Sequence, residues 1–317
     1  MEVASYYIEK GVPKSTILLK LNISKSSYYY KSKLGERKAG RPMSSHTYKD
    51  KVGCVSNDQV VKDIEALLTK EFVDYGYLKT TYYLKDELGY NINHKKVYNL
   101  MNINKLLNKP NRNINRSKRN WIKDFVPNPV SDFAHLEFDI KYFYVLGKKR
   151  NAMVLTIIDV KSRWVLGQII KWRLNYKDVK ELFEEVFLEY NFPKQIYVRC
   201  DNGSQFVANE IQQYFKEYDK IEVIQEFTRP ATPEQNAHIE SYHSIVEKVI
   251  CQRYELKNIK DLEEILTRFK AFYNFERIHS GVGYISPYKY LLKQGIDMNT
   301  YPSSKSFCRT NKTLNLN

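Results

Sequence analysis

The spacing of apolar positions divides the chain into two kinds of segment. From residue 60 the period is helical. Val60, Val61, Ile64, Leu67 and Leu68 predict a helix over 60–70. Tyr75-Gly76-Tyr77 breaks it, residues 80–88 form a second helix, and Gly89 serves as its C-cap. Asn93 caps a third helix. It turns Val97, Leu100 and Met101 inward and leaves His94, Lys95, Lys96, Tyr98 and Asn99 outward. Nearer the N-terminus, residues 15–21 read as a short helix, Asn22-Ile23 as a turn, and Ser24 as the cap of another short helix. That pair suggests a helix-turn-helix-like segment. Residues 35–57, rich in Gly, Ser, Lys and Arg, are expected to form a loop.

Beyond residue 130 the period falls to two. Leu136, Phe138, Ile140 and Tyr142 alternate with Glu137, Asp139, Lys141 and Phe143, which predicts a strand. Residues 151–159 form a second strand, and Lys161-Ser162 turns into a third over 163–172. Residues 176–190 are an amphipathic helix with Val179, Leu182, Phe183, Val186, Phe187 and Tyr190 as its apolar stripe. Strands at 195–200 and 221–227 flank a helix at 208–218. A long helix over 236–253 buries Ile239, Tyr242, Val246, Val249 and Ile250, and another spans 262–275. The order β-β-β-α-β-α-β-α-α predicts an α/β fold, a five-stranded mixed sheet with helices on both faces, preceded by small all-α modules.

Charge adds a partner to this outline. The 317 residues hold 51 Lys+Arg against 36 Asp+Glu, a net of +15, and +12 of it falls before residue 131. No acid occurs between Gly89 and Lys123. A localised excess of this kind points to a polyanion, foremost double-stranded DNA. Lys95 and Lys96 on the third helix fit a recognition helix in a major groove. Arg112, Arg116, Lys118 and Arg119 lie in a polar, basic linker that can track a phosphate backbone. A hydrophobic content of 43% excludes wholesale disorder. No apolar run approaches the roughly 20 residues that span a bilayer, so no membrane role is expected. Glu2, Glu9 and Lys10 interrupt any leader-like stretch. Cys54, Cys200, Cys251 and Cys308 are too scattered for a disulfide framework or a Cys-x-x-Cys zinc site, so a reduced, cytoplasmic protein is expected. Gly11-Val12-Pro13-Lys14-Ser15 lacks the first glycine of a phosphate loop, and the third residue after His279 is Val282 rather than the Arg of a tyrosine recombinase.

Three acids occupy unusual positions. Asp139 lies mid-strand, Asp201 ends a strand before Asn202-Gly203-Ser204-Gln205, and Glu240 lies early in the long helix beside Ile239. A charge inside a strand costs stability unless it is paired or binds a metal. Two neighbouring strands and a helix can bring three carboxylates to one sheet edge, where Mg²⁺ and phosphate oxygens would meet. Singly, each acid reads equally well as a surface or capping carboxylate.

Taken in order, the local strings are more specific. Phe138-Asp139-Ile140, Ile158-Asp159-Val160-Lys161-Ser162-Arg163, Asp201-Asn202-Gly203-Ser204-Gln205-Phe206 and Asn236-Ala237-His238-Ile239-Glu240-Ser241-Tyr242-His243 resemble the insertion-sequence-three family of transposases, which has a retroviral-integrase-type core. Tyr273-Asn274 through Arg277, His279 and Tyr284-Ile285-Ser286-Pro287 are similar to that family's closing motif. Tyr75-Gly76-Tyr77 and the run from Asn91 to Met101 are similar to its helix-turn-helix module.

The resemblance implies a ribonuclease-H-like core with Asp139, Asp201 and Glu240 as catalytic and metal-binding triad. It implies two Mg²⁺ ions, with Mn²⁺ able to substitute, and cleavage at element ends followed by strand transfer. The implied partners are terminal inverted repeats and target DNA, further copies of the chain on DNA, and a first-frame protein or frameshift fusion. The implied setting is the bacterial cytoplasm, at the nucleoid. Asp159 is expected to be structural, capping a strand turn through an Asx hydrogen bond.

Expected divisions are an N-terminal helix-turn-helix-like segment and loop (1–57), a DNA-binding helix-turn-helix module (58–108), a basic linker (109–130), an integrase catalytic core (131–295) and a flexible tail (296–317). Two places depart from the family. The Asp201-to-Glu240 interval of 39 is about three residues longer than its usual one. Glu247 stands where a basic residue is usual, leaving His243 or Lys248 as candidate DNA contacts. The alternative function is an inactive DNA-binding regulator or transposon remnant.

Overall fold

A computed structural model describes residues 2–29, 43–108, 129, 131–229 and 233–300. By compactness the chain divides after Ser45. The first unit holds α1 (Glu2–Glu9), α2 (Lys14–Lys20) and α3 (Lys25–Tyr29). The last two are the predicted pair. Helix α1 was not legible because Val3, Tyr6 and Tyr7 are exposed, so no apolar stripe marks a buried face.

The second unit opens with a hairpin where a loop was expected over 35–57. Strands β1 (His46–Lys49) and β2 (Gly53–Ser56) pair antiparallel, while residues 35–42 lie outside the described residues. Each strand is four residues long and half-exposed, too short for a period-two signal. The turn between them uses positive φ at Lys51 (64°) and Gly53 (93°). Strand β1 also pairs with β3 (Tyr90–Asn91), giving the order β2-β1-β3. Against this small sheet pack α4 (Asn57–Leu68) and α5 (Tyr77–Asp86), and α6 (His94–Ile103) packs on both helices. Ser56 Oγ accepts the Gln59 N–H and Asn93 Oδ1 accepts the Lys95 N–H, so both predicted helix starts carry side-chain caps. Gly89, at φ 68°, turns the chain away from α5. Asp63 ties the sheet to α4 by accepting from Lys49 Nζ at 2.9 Å and Tyr90 OH at 2.7 Å.

The larger sheet runs β6-β5-β4-β7-β8. Strands β4 (His135–Val145), β5 (Arg150–Asp159) and β6 (Val165–Lys171) form an antiparallel meander. Strand β7 (Gln195–Cys200) is parallel to β4, and β8 (Glu222–Phe227) is parallel to β7. This is the ribonuclease-H-like sheet implied by the motifs.

Helices α7 (Tyr176–Glu189) and α8 (Asn209–Glu217) cover one face. Helices α9 (Ala237–Val246) and α10 (Ile259–Ala271) cover the other, each running on through a π-helical turn, Glu247–Cys251 and Phe272–Glu276. Helix α11 (Pro287–Lys293) follows the closing motif. Gly167 lets α7 lie close on β6, since a Cβ there would stand 2.9 Å from Leu182 Cδ1 and from Val186 Cγ2. Among the described residues no helix is long and apolar enough to cross a membrane.

Strand β4 is buried on both faces, so its alternation is only half of a core pattern. Leu136, Phe138 and Ile140 join the α7–α8 core, while Phe143 and Val145 join the α9–α10 core. Tyr142, expected on the apolar face, is 58% exposed because the eleven-residue strand outruns its cover there. Asp159 closes the β5–β6 turn as expected. Its Oδ2 accepts the Ser162 N–H and hydroxyl, and its Oδ1 accepts the Phe133 N–H.

The helical module is docked on the core through the segment between α4 and α5. Asp74 contacts Arg277 Nη1 at 2.6 Å and Lys248 Nζ at 3.4 Å. Tyr75 OH accepts the Ile278 N–H at 2.9 Å, and Val73 C=O accepts Arg253 Nη2. Phe72 packs edge-on against Phe269, and Tyr82 stacks on Tyr284 with ring centroids 4.2 Å apart.

The docking makes acid stability depend on Asp74. Burial raises its carboxyl, but the Arg277 charge and hydrogen bond outweigh this and hold it below its ordinary 3.8. A lowered carboxylate stabilises above its unfolded value and loses that contribution as pH falls through the folded one. Urea unfolding should therefore weaken more steeply below pH 3.8 in the native protein than in Asp74→Asn. Equal slopes would show that the pair contributes nothing.

A second prediction concerns Asn274, which is 2% exposed and acts as a substitute strand for β6. Its Oδ1 accepts the Val165 N–H and its Nδ2 donates to the Val165 C=O. Asn274→Ala orphans both backbone groups and should cost about 2–4 kcal/mol in urea unfolding.

Candidate active site

Strands β4 and β7 run side by side, and Glu137 pairs with Arg199. Two residues further along both chains stand Asp139 and Asp201. Asp139 Oδ1 accepts the Ile140 N–H, and Asp201 Oδ1 accepts the Gly203 N–H at 2.8 Å. Asn202 Nδ2 donates to Thr228 C=O, which holds this turn against the end of β8. Burial raises the Asp201 carboxyl above its ordinary value; the accepted Gly203 N–H opposes this, and the nearby Asp139 charge adds to it. The two carboxyls thus share one electrostatic environment. Hard oxygen donors that repel one another are the donor set a divalent cation relieves.

Helix α9 lies along β4 and is tied to it at three successive steps. Glu137 Oε2 accepts both the His238 N–H (2.9 Å) and the Ile239 N–H (2.8 Å), while Oε1 accepts from His238 Nδ1 at 2.7 Å. Asp139 Oδ2 lies 3.5 Å from His243 Nδ1. Lys141 Nζ lies 2.9 Å from Glu247 Oε2. Two residues of strand advance about 6.6 Å. Four residues of helix advance about 6 Å, so each step meets the next.

Glu240 lies on the same helix three residues before His243, so the two share one side of α9. It is an exposed residue within the first turns of α9. Among the described residues, no group of three or more His, Cys, Asp or Glu stands ready to hold a metal ion. The Asp139 charge acts on the Asp201 carboxyl, whereas Glu240 is carried by α9.

The integrase core domain family matches residues 130–233 in one part and 222–287 in another, and an HTH-like domain family matches 56–113. The chain carries an integrase core domain over residues 130–287 and an HTH-like domain before it. A transposase for insertion sequence element IS904 of Lactococcus lactis is 24% identical over 145 residues, covering 45% of this chain and 56% of that protein. A protein of Spiroplasma virus SpV1-C74, provisionally named an integrase, is 25% identical over 186 residues, 51% of this chain and 48% of its own. The chain therefore spans about half the length of these two curated relatives. Among solved structures it is similar to the simian T-cell lymphotropic virus intasome with PP2A regulatory subunit B56 gamma (TM-score 0.44, 13% identity, 73% of each chain).

In this integrase-core protein the predicted DNA contacts fall into three groups. Lys95 is exposed on α6, and Lys96 Nζ donates to His46 C=O at 2.8 Å, fastening α6 to the hairpin. Arg112, Arg116, Lys118 and Arg119 lie outside the described residues. His243 faces Asp139, and Lys248 faces Asp74 of the docked module. Sequence reasoning passed over Glu137 and His238. The signal was available: the cost of a charge inside a strand, applied to Asp139, applies equally to Glu137, which is 0% exposed.

Glu247 now has a physical role. The hydrogen bond from Lys141 holds its carboxyl below its ordinary value, so the acid is a partner of β4. Glu247→Lys should set two cations together and cost about 1 kcal/mol in thermal or urea unfolding, since both groups are partly exposed. The exchanged pair, Lys141→Glu with Glu247→Lys, should recover most of it. A non-additive cycle is expected, and simple additivity would break this step of the contact.

Proposed function

We propose that the chain is a DNA transposase that cuts at the ends of an insertion element and joins them to a second site. The observation that supports this best is the Asp139–Asp201 pair on adjacent parallel strands, where burial and the nearby Asp139 charge raise the Asp201 carboxyl, with Glu240 on the helix that Glu137 ties to the same strand. In this reading Asp139, Asp201 and Glu240 together hold Mg²⁺ or Mn²⁺. Two such ions, when bound, would activate the attacking oxygen and neutralise charge on the leaving one. The protein offers no nucleophile of its own. Water first hydrolyses the phosphodiester at the element end and frees a 3′-hydroxyl. That hydroxyl then attacks a second phosphodiester in line, so no protein–DNA bond forms.

The remaining parts grip DNA. Lys95 stands on an exposed face of α6, and the basic segment containing Arg112, Arg116, Lys118 and Arg119 would follow the phosphates of the terminal repeat. His243 and Lys248 lie near enough to the carboxyls and the docked module to meet DNA passing between them, once it displaces their present partners. Work as a multimer on DNA, and with a first-frame protein or as a frameshift fusion, belongs to the same reading.

The test is strand transfer by the full chain with Mg²⁺, on a labelled duplex carrying the inverted repeats beside its gene. Asp139→Asn, Asp201→Asn and Glu240→Gln should each lower product at least about a hundredfold while leaving repeat binding intact. Repeat binding without product from the native chain would instead support the inactive regulator.

A further inference from the structure

Helix α9 begins without a cap of its own. Its N-cap residue, Asn236, makes no side-chain cap hydrogen bond, and Asn236 Oδ1 is buried with no partner. The two N–H groups that an N-cap residue ordinarily satisfies belong to the second and third helical residues. Here these are His238 and Ile239, and both donate to one oxygen of Glu137 on β4, a residue more than a hundred positions earlier. A negative carboxylate at a helix N-terminus is also favoured by the helix dipole. The cap therefore comes from the strand that carries Asp139, and it fixes the start of the helix that carries Glu240.

We propose that Glu137 is a positioning residue for the active site. It sets the height and rotation of α9 on β4 so that Glu240 can join Asp139 and Asp201 around a divalent cation. This deepens the transposase reading and rests on it for its catalytic consequence. A cap within the helix's own chain would satisfy the same two N–H groups and leave the helix free to slide along the sheet. A cap from β4 leaves one register only. Glu137 lies two residues before Asp139 on the same side of the strand, and the Asp139–His243 and Lys141–Glu247 contacts keep that register further along.

The single oxygen that takes both amides makes the proposal sharp. Glu137→Gln keeps one oxygen for His238 and Ile239 and turns its amide toward the imidazole, so it should preserve the register. Glu137→Ala removes the clamp. Four measurements on the full chain decide the matter: thermal unfolding, hydrogen exchange at residues 237–243, Mn²⁺ affinity by electron paramagnetic resonance, and single-turnover cleavage of a labelled repeat duplex.

A folded Glu137→Ala protein should bind the repeat within twofold of native. It should exchange the first turn of α9 at least tenfold faster, bind Mn²⁺ about tenfold more weakly and cleave at least tenfold more slowly. Glu137→Gln should stay within threefold of native in all of these. If Glu137→Ala does not fold, Glu137→Asp replaces it. That variant keeps the charge, withdraws it by one methylene, and should weaken Mn²⁺ binding while repeat binding is unchanged. Native Mn²⁺ affinity and native exchange in the folded Glu137→Ala or Glu137→Asp protein would overturn the proposal. If the native chain cuts no repeat, the transposase reading fails, and exchange and Mn²⁺ affinity still decide whether Glu137 sets the helix.

Discussion

A carboxylate buried at the start of a helix admits few helix positions, because it must meet two N–H groups at once. Glu137 does this for α9, and it is 0% exposed, so water cannot substitute. The other contacts along the same strand depend on that start. Asp139 reaches His243 and Lys141 reaches Glu247 only because the helix already lies in step with the strand. The apolar side of α9 follows, with Ile239, Tyr242 and Val246 turned into the core shared with α10 and the β5 residues Val154 and Ile158. Apolar packing holds the helix to the sheet, and it is not directional. The polar steps give it a register.

That register has consequences beyond the site. The π-helical turn after α9 carries Lys248, and the segment after α10 carries Arg277 and Ile278, the groups that receive Asp74 and Tyr75. The helical module is therefore seated on the continuation of the helix that carries Glu240 and on the segment after α10. Arg277 is 2% exposed and its charge is answered by Asp74, also nearly buried, so neither can be withdrawn without leaving the other unpaired. The closing motif, noticed in the sequence for its resemblance, has two structural tasks here. Asn274 completes the edge of β6, and Arg277 with Ile278 receives the module.

The regular elements were legible where burial writes a period into the sequence. Helices α4, α7 and α10 and strand β7 each have one face in a core and one outside it, and each begins and ends within a few residues of its predicted bounds. Legibility failed where that contrast is absent. The β1–β2 hairpin is half-exposed on both faces and turns on positive φ at Lys51 and Gly53. Strand β4 is covered on both faces, so Phe143 is buried and Tyr142 exposed against a simple alternation. Glu137 looked like the polar half of that alternation.

The sequence alone determined the order of elements beyond residue 131, the mixed character of the larger sheet, the concentration of positive charge before residue 131 and the identity of the candidate acids. Those depend on local spacing and on residue type, which a chain displays without being folded. Only the tertiary structure decided which groups answer the buried charges. Glu137 caps a helix a hundred residues away, Glu247 answers Lys141, and Asp74 answers Arg277. Pairings of that kind are set by where the chain returns to after long excursions. No local pattern records them, because each partner reads as an ordinary polar residue until the fold removes the water around it.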